Sequence, residues 1–457
     1  MRISATIQAI LDQFRIPPHR LGYFVADNAS ENDTCVKDLE DTFGYRRGWR
    51  RVRCMGHIIN LVARALLFGE SPDGFEEENQ EFMDIVEEQR RWRMLGPIGK
   101  LHNVVVWIRS TAERRREFEN RQRASYVTAG DPDATTKPVY SLNLANDTRW
   151  NSNQAEMQRA VELRNAIDEM TAPEVYKWNS HHSAQKPSIV DDYLTADDWS
   201  VIAVYLDILK PLEKATLRLQ GRPSRDSTTG IWHVIPTMEW LLYRFERFKE
   251  IYEKHSDPYF RRGITQAWTK LDKYYQLTDK SPIYVAAVVL NPKWKWKYFE
   301  KHWENHEDWI TDAQEAVKKL WNDYKDLPLP SDLKLRKPQQ RDTNLNADLD
   351  DYIDFPMSPP PAADQPDEYE CYISRVAAPE DQACNAPIAY WVEKRCVWPR
   401  LVKMALDILS IPPMSDEPER IFSFSGLLTV ANRGRLKTDI IGASICLANW
   451  QREGIAR

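Results

Sequence analysis

The chain has 457 residues, of which 62 are Lys or Arg and 68 are Asp or Glu, for a formal charge of −6. It is longer than one ordinary domain, and 42% hydrophobic residues with 17 Trp suffice to bury a sizeable core. The near-neutral balance excludes a globally basic nucleic-acid coat but leaves room for a local basic groove.

The first 67 residues read as α-β-α-β-α. Ala5, Ile7, Ile10, Leu11 and Phe14 have helical spacing, and Pro17-Pro18 ends that helix. Leu21 to Ala26 is a short continuous apolar run, the signature of a buried strand, and Asp27-Asn28 follow at its carboxyl end. In open α/β sheets that end is where sites form. A helix is predicted over 30–43, with Cys35, Val36, Leu39 and Phe43 on one face. Trp49 to Cys54 is a candidate strand with basic residues interleaved, and Gly56-His57 leads into an apolar helix over 58–67.

The character then changes. Residues 70–90 are strongly acidic, and 91–123 are basic, with Arg109, Arg114, Arg115, Arg116, Arg121 and Arg123. Those arginines either line a DNA groove or form a solvated helix face helped by Glu113 and Glu117. A loop over 125–140 precedes Asp147-Thr148-Arg149-Trp150, where Asp147 or Thr148 supplies an N-cap for a further helix. From 199 to 299 the periodicity is helical throughout. Residues 282–290 are β-branched, but their helical context and the Asn291-Pro292 end favour helix. Residues 326–384 hold many Pro, Asp and Gln with few apolar groups and read as a mobile linker. Leu401, Met404, Ala405, Ile408 and Leu409 make a helix face, and a last helix runs near 439–450.

The six Cys form no Cys-x-x-Cys pair, so neither a zinc ribbon nor a disulfide framework is indicated, and a reducing compartment is the simplest reading. No run approaches ~18 apolar residues, so no membrane partner is expected, and the N-terminus carries no signal-peptide pattern. Cytosol and nucleus remain. Two carboxylates on converging elements can hold Mg²⁺ or Mn²⁺, which draws attention to Asp27 and to Glu419 in Pro418-Glu419-Arg420-Ile421-Phe422-Ser423. Taken singly, each has an ordinary reading: a turn residue for Asp27 and surface decoration for the Glu419-Arg420 pair. Cys54-x-x-His57 is half a zinc site with no second pair at ligand spacing. His57, just beyond a strand end, faces phosphate or a catalytic carboxylate, or else is a buried, satisfied His. Arg149 can pair with phosphate and Trp150 can stack on an unpaired base, or Trp150 is simply core.

Taken together these stretches are similar to the hAT superfamily of cut-and-paste DNA transposases, most closely its fungal Restless-like branch. The resemblance rests on Phe24-Val25-Ala26-Asp27-Asn28-Ala29-Ser30, Arg53-Cys54-Met55-Gly56-His57, Gly99-Lys100-Leu101-His102-Asn103, Asp147-Thr148-Arg149-Trp150-Asn151-Ser152, Val289-Leu290-Asn291-Pro292 and the region from Pro412 to Arg435. It implies an α/β plus α protein, mostly helical overall: an incomplete RNase H-like domain interrupted by a large all-α insertion. The expected divisions are 1–67 for a partial RNase H-like segment, 68–325 for the insertion, 326–387 for a linker and 388–457 for a C-terminal dimerisation region that completes the RNase H-like fold. By position Asp27 and Glu419 resemble two members of a metal-binding Asp-Asp-Glu triad, and His57, Arg149 and Trp150 resemble DNA-contacting residues, the Trp holding a flipped base. The first triad Asp and the family's N-terminal DNA-recognition zinc finger have no counterpart in this sequence, which implies an N-terminally truncated, transposase-derived, nuclear protein. It is expected to form a homodimer or higher homo-oligomer and contact DNA without full catalysis. The alternative is an active Mg²⁺- or Mn²⁺-dependent transposase, cleaving and transferring strands, in a longer gene product.

Overall fold

Short apolar runs and helical spacing in the first 70 residues become a parallel βαβ unit. The computed structural model describes residues 3–69, 85–128, 136–145, 150–181, 186–221, 224–253, 258–328, 367–415, 421 and 438–452. Helix α1 (Ile3–Gln13) precedes strand β1 (Phe24–Ala26), helix α2 (Ser30–Phe43), strand β2 (Arg51–Arg53) and helix α3 (Met55–Phe68). β1 and β2 pair in parallel, with Phe24 opposite Arg51, Val25 opposite Val52 and Ala26 opposite Arg53. A parallel pair needs a crossover of a dozen or more residues, and α2 supplies it. Cys35, Val36 and Leu39 are buried along α2, as their spacing predicts. Gly44 ends the helix in the left-handed region at φ 71°, where a residue without Cβ is favoured. Both strands are shorter than the stretches, 21–26 and 49–54, that announce them.

After α3 the described residues up to Lys325 are helical or loop. They include α4 (Ile85–Arg93), α5 (Pro97–Arg109), α6 (Ala112–Thr128), α7 (Trp150–Glu162), α8 (Arg164–His181), α9 (Ala196–Leu219), α10 (Val234–Tyr252), α11 (Pro258–Gln276), α12 (Ile283–Val289), α13 (Lys297–His302) and α14 (Glu307–Lys325). The β-branched stretch before Asn291-Pro292 is helix α12, with Ile283, Tyr284, Ala286, Ala287, Val288 and Val289 all buried. Packing on all sides outweighs strand propensity there.

The chain divides into two compact units, one of Met1–His57, Arg218–Met238 and Tyr275–Arg457, the other of Ile58–Leu217 and Glu239–Tyr274. The second unit is a helical assembly with close backbone approaches. A Cβ at Gly263 of α11 would lie 2.5 Å from the Leu66 carbonyl oxygen of α3, and one at Gly99 of α5 would lie 1.6 Å from that of Trp92 in α4. Some of its buried polar groups meet partners from distant elements. Arg93 makes a two-pronged bond to Asp192, Asn103 donates to the same carboxylate at 2.9 Å, and His102 Nδ1 sits 3.3 Å from Glu156 Oε1. The Trp92 ring stacks on His102 with centroids 3.8 Å apart.

In the first unit, 275–325 group with the strands instead of with an insertion ending at 325. The division follows contacts. The Arg53 amide donates to the Tyr284 hydroxyl at 2.9 Å, and Trp391 Nε1 donates to the Leu290 carbonyl at 2.7 Å. The expected linker also needs correction. Residues 329–366 lie outside the described residues, but α15 (Glu368–Ser374) and α16 (Pro379–Gln382) occupy its last part, before α17 (Pro387–Glu393) and α18 (Pro399–Leu409). Tyr369 and Tyr372 anchor α15, with Tyr372 wholly buried against Trp391 and Trp398. Averaging composition over the Pro- and Asp-rich window hid this short aromatic anchor. The last helix, α19 (Thr438–Arg452), leaves Ile440, Leu447 and Trp450 about half exposed.

Candidate functional site

Asp27 stands where β1 ends. Its Oδ1 accepts from the Ala29 amide at 3.0 Å and from Asn32 Nδ2 at 2.7 Å, which closes the turn into α2. Its side chain is exposed. Beside it, β2 contributes two guanidinium groups. Arg51 and Arg53 are two residues apart in a strand, so their side chains leave the same face. Arg51 is only 8% exposed and donates to Asp33 Oδ1 at 2.9 Å, to the carbonyls of Ala26 and Val52 at 3.0 and 2.6 Å, and to the Asp27 carbonyl. Arg53 donates to Asp33 Oδ2 at 2.9 Å and to Asn28 Oδ1 at 3.1 Å. One carboxylate thus bridges two cations. Burial pushes the Asp33 carboxyl up, but the hydrogen bonds and charges of Arg53 and Arg51 outweigh it and hold the group below the usual carboxylate range.

The C-terminal segment reaches the same end of the sheet. Cys54 donates its amide to the Ala26 carbonyl at 2.9 Å, and Met55 donates to the Pro413 carbonyl at 3.0 Å. The Ser415 amide donates to Cys54 Sγ at 3.3 Å. The buried thiol therefore serves as a packing and acceptor group. His57 is half-buried in the first turn of α3. Glu419 and Arg149 lie outside the described residues. In the second unit, Trp150 opens α7, is 4% exposed, and donates its amide to Asn60 Oδ1 at 3.2 Å. Its indole is part of that unit's core here. Of the arginine run, Arg109 bonds the Leu142 carbonyl, Arg114 lies 4.3 Å over the Trp107 ring and Arg121 pairs with Glu117 at 2.8 Å, whereas Arg116 and Arg123 are exposed.

Sequence reasoning singled out Asp27 but not Asp33, Arg51, Arg53 or Tyr284. The alternation of Arg51-Val52-Arg53 was the available signal, because a half-buried strand places such residues on one face. The described donors do not fit a divalent metal by themselves. Mg²⁺ prefers several oxygen ligands, while here one exposed carboxylate neighbours two guanidiniums and Asp33 is committed to both. Among the described residues no group of three or more His, Cys, Asp or Glu is placed to hold an ion, and no described helix is long and apolar enough to cross a membrane.

Comparison with known proteins gives the architecture a lineage. A family profile, the hAT family C-terminal dimerisation region, matches residues 368–451, starting where α15 begins. Named as a transcriptional regulator, tpeD of Talaromyces stipitatus is 23% identical over 96% of this chain and 47% of its own length. The zinc finger BED domain-containing protein DAYSLEEPER of Arabidopsis thaliana is 26% identical over 69% of this chain and 42% of its own. A Zea mays protein named as an AC transposase is 23% identical over 98% of this chain and 51% of its own. The chain spans about half the length of these curated relatives. The chain thus carries a match to the hAT dimerisation region at 368–451 and is similar over most of its length to transposase-related proteins.

Proposed function

We propose that this transposase-derived chain dimerises through residues 368–451 and contacts DNA in the nucleus. The observation that carries the reading is the match of that segment to the hAT dimerisation region. The half-exposed Ile440, Leu447 and Trp450 of α19 add support, because spacings of seven and three residues put them on one helix face. Such a stripe suits a self-complementary interface between two copies. Sedimentation of the full chain at micromolar concentration tests this. The expected result is a dimer that becomes monomeric in the double variant Ile440→Asp, Leu447→Asp. A wild-type monomer would overturn the reading.

In this proposal the βαβ unit is the remnant of an RNase H-like sheet that the C-terminal segment helps to complete. Contacts of Pro413 and Ser415 with the Cys54-Met55 turn support it. Three residues of chain lie between Ser415 and Glu419, so four Cα steps give a reach of at most about 14 Å. Asp27 and Glu419 are then the surviving carboxylates of a metal site, which would supply activation of an attacking oxygen when loaded. Two carboxylates fall short of the three that two bridged ions normally use, so the proposal assigns this chain DNA contact without strand cleavage. The second reading, active transposition, rests on the same resemblance of Asp27 and Glu419 to triad carboxylates. It predicts Mn²⁺-dependent nicking of DNA bearing transposon ends, abolished by Asp27→Asn and by Glu419→Gln. Absence of nicking in the wild-type chain rejects it for this chain.

A further inference from the structure

A cavity of about 500 Å³ opens between α2, the loop entering β2 and the turn before α12, all within the first unit. Its charged lining is Lys37, Arg47, Arg51, Arg53 and Lys280 against Asp33 and Glu40. Both carboxylates are already engaged. Glu40 is 2% exposed and accepts from the Gly48 and Arg50 amides at 2.8 and 3.0 Å, which holds the loop that forms one rim. Asp33 is shared by two guanidiniums. Arg47 is neutralised by Asp41 outside the cavity. Lys37 and Lys280, on different elements, make no hydrogen bond or ion pair with described residues. The surplus bearing on the cavity is thus about two positive charges: the two lysines and one from the Arg51-Arg53-Asp33 triplet, less the Glu40 carboxylate, whose amide partners are neutral.

Contacts between the 48–49 loop and residues 280–281 fix the rim. Ser281 Oγ donates to the Trp49 carbonyl at 2.9 Å, and Gly48, at φ +81°, brings its backbone to the Lys280 carbonyl, where a Cβ would stand 3.5 Å away. The remaining wall is apolar, from Val36, Leu277 and the ring of Tyr284. A volume in the usual range for small-molecule sites, with convergent cations at one side and apolar surface at the other, suits a ligand with one polyanionic and one flat apolar end. A duplex is far too large to enter.

We propose that this cavity binds a nucleoside di- or triphosphate, its phosphates held by Lys37, Lys280 and Arg53 and its base against Val36 and Leu277. The inference goes beyond the transposase reading and does not depend on it. Arg53 also bonds Asn28, next to Asp27, so phosphate drawn to Arg53 bears on the turn that positions Asp27.

The test is calorimetric titration of the full chain with ATP, ADP, pyrophosphate and inorganic phosphate at physiological salt, on the wild type and on Lys37→Gln, Lys280→Gln. Both lysines are exposed, so the double variant keeps its fold, which thermal melting checks. Expected are one ATP per chain, inorganic phosphate at least tenfold weaker than pyrophosphate, and a loss of ATP affinity of at least tenfold in the variant. No ATP binding, or binding unchanged in the variant, overturns the proposal. So does displacement of ATP by a DNA oligonucleotide whose own binding falls in parallel in the variant, because the lysines then contact a nucleic-acid backbone.

Discussion

Two clusters within the first unit are built on opposite principles. At the end of β2, Arg51, Arg53 and Asp33 form an ionic triplet around the turn that carries Asp27. At α15, α17 and α18, Tyr372, Trp391 and Trp398 form an aromatic cluster in which Lys295 Nζ lies 4.4 Å from the Tyr372 ring and donates to its carbonyl at 2.7 Å. The aromatic cluster gains from burying large apolar area while the Tyr372 hydroxyl and the Trp391 indole N–H keep hydrogen bonds to the Val289 and Leu290 carbonyls. The ionic one gains little from its charges, because desolvation offsets their attraction. What it provides is orientation of the backbone at Ala26, Asp27 and Asn28. Stability and positioning thus reside in different places.

The largest expected effect tests the aromatic side. Trp391→Ala removes a wholly buried indole and orphans the Leu290 carbonyl, and should cost about 3–5 kcal/mol in urea unfolding. A loss below about 1 kcal/mol would mean that the cluster is not the source of stability.

On the ionic side, Asp33→Asn should cost less, about 1–2 kcal/mol, since the carboxylate is 42% exposed and water screens it. Its pH dependence sharpens the comparison. The folded carboxyl is held below its unfolded value, so its contribution is full above about pH 4 and is lost as pH falls through the lowered folded value. Stability measured from pH 6 to pH 2 should therefore fall more steeply in the wild type than in Asp33→Asn. Parallel curves would show that the triplet contributes nothing.

The smallest effect is expected at the contact between the Cys54-Met55 turn and the C-terminal segment. A Cβ at Gly56 would meet Met414 Sδ at 3.3 Å, and a thioether can shift by a few tenths of an ångström. Gly56→Ala should change stability by less than about 1 kcal/mol, the helix gain of Ala offsetting the crowding. A larger loss would reveal that residues 411–415 are held as rigidly as the aromatic cluster.

Much of this was readable in advance. The α-β-α-β-α order, the buried face of α2 and the helical nature of 283–289 follow from runs and periods that local packing respects. The aromatic cluster was not readable, because Tyr372, Trp391 and Trp398 are scattered among Pro, Asp and Glu, and their meeting depends on how three short helices turn. At the site, Asp27 was legible as a carboxylate ending a strand. Its neighbours were not, since a strand of Arg-Val-Arg looks like a solvent-facing edge until Asp33 arrives from the first turn of α2.

Sequence by itself determined the element types, the position of Asp27 at a strand end and the resemblance to hAT transposases, because these rest on local spacing and ordered motifs. Only the tertiary structure decided that Pro413 and Ser415 dock on the Cys54 turn, that Trp150 is core and that two carboxylates in a cationic cavity are already engaged. The docking of Ser415 and the Trp150 contact join residues 361 and 90 positions apart, and the carboxylates are engaged across 8 to 20 positions between different elements, so no local period of the chain encodes them.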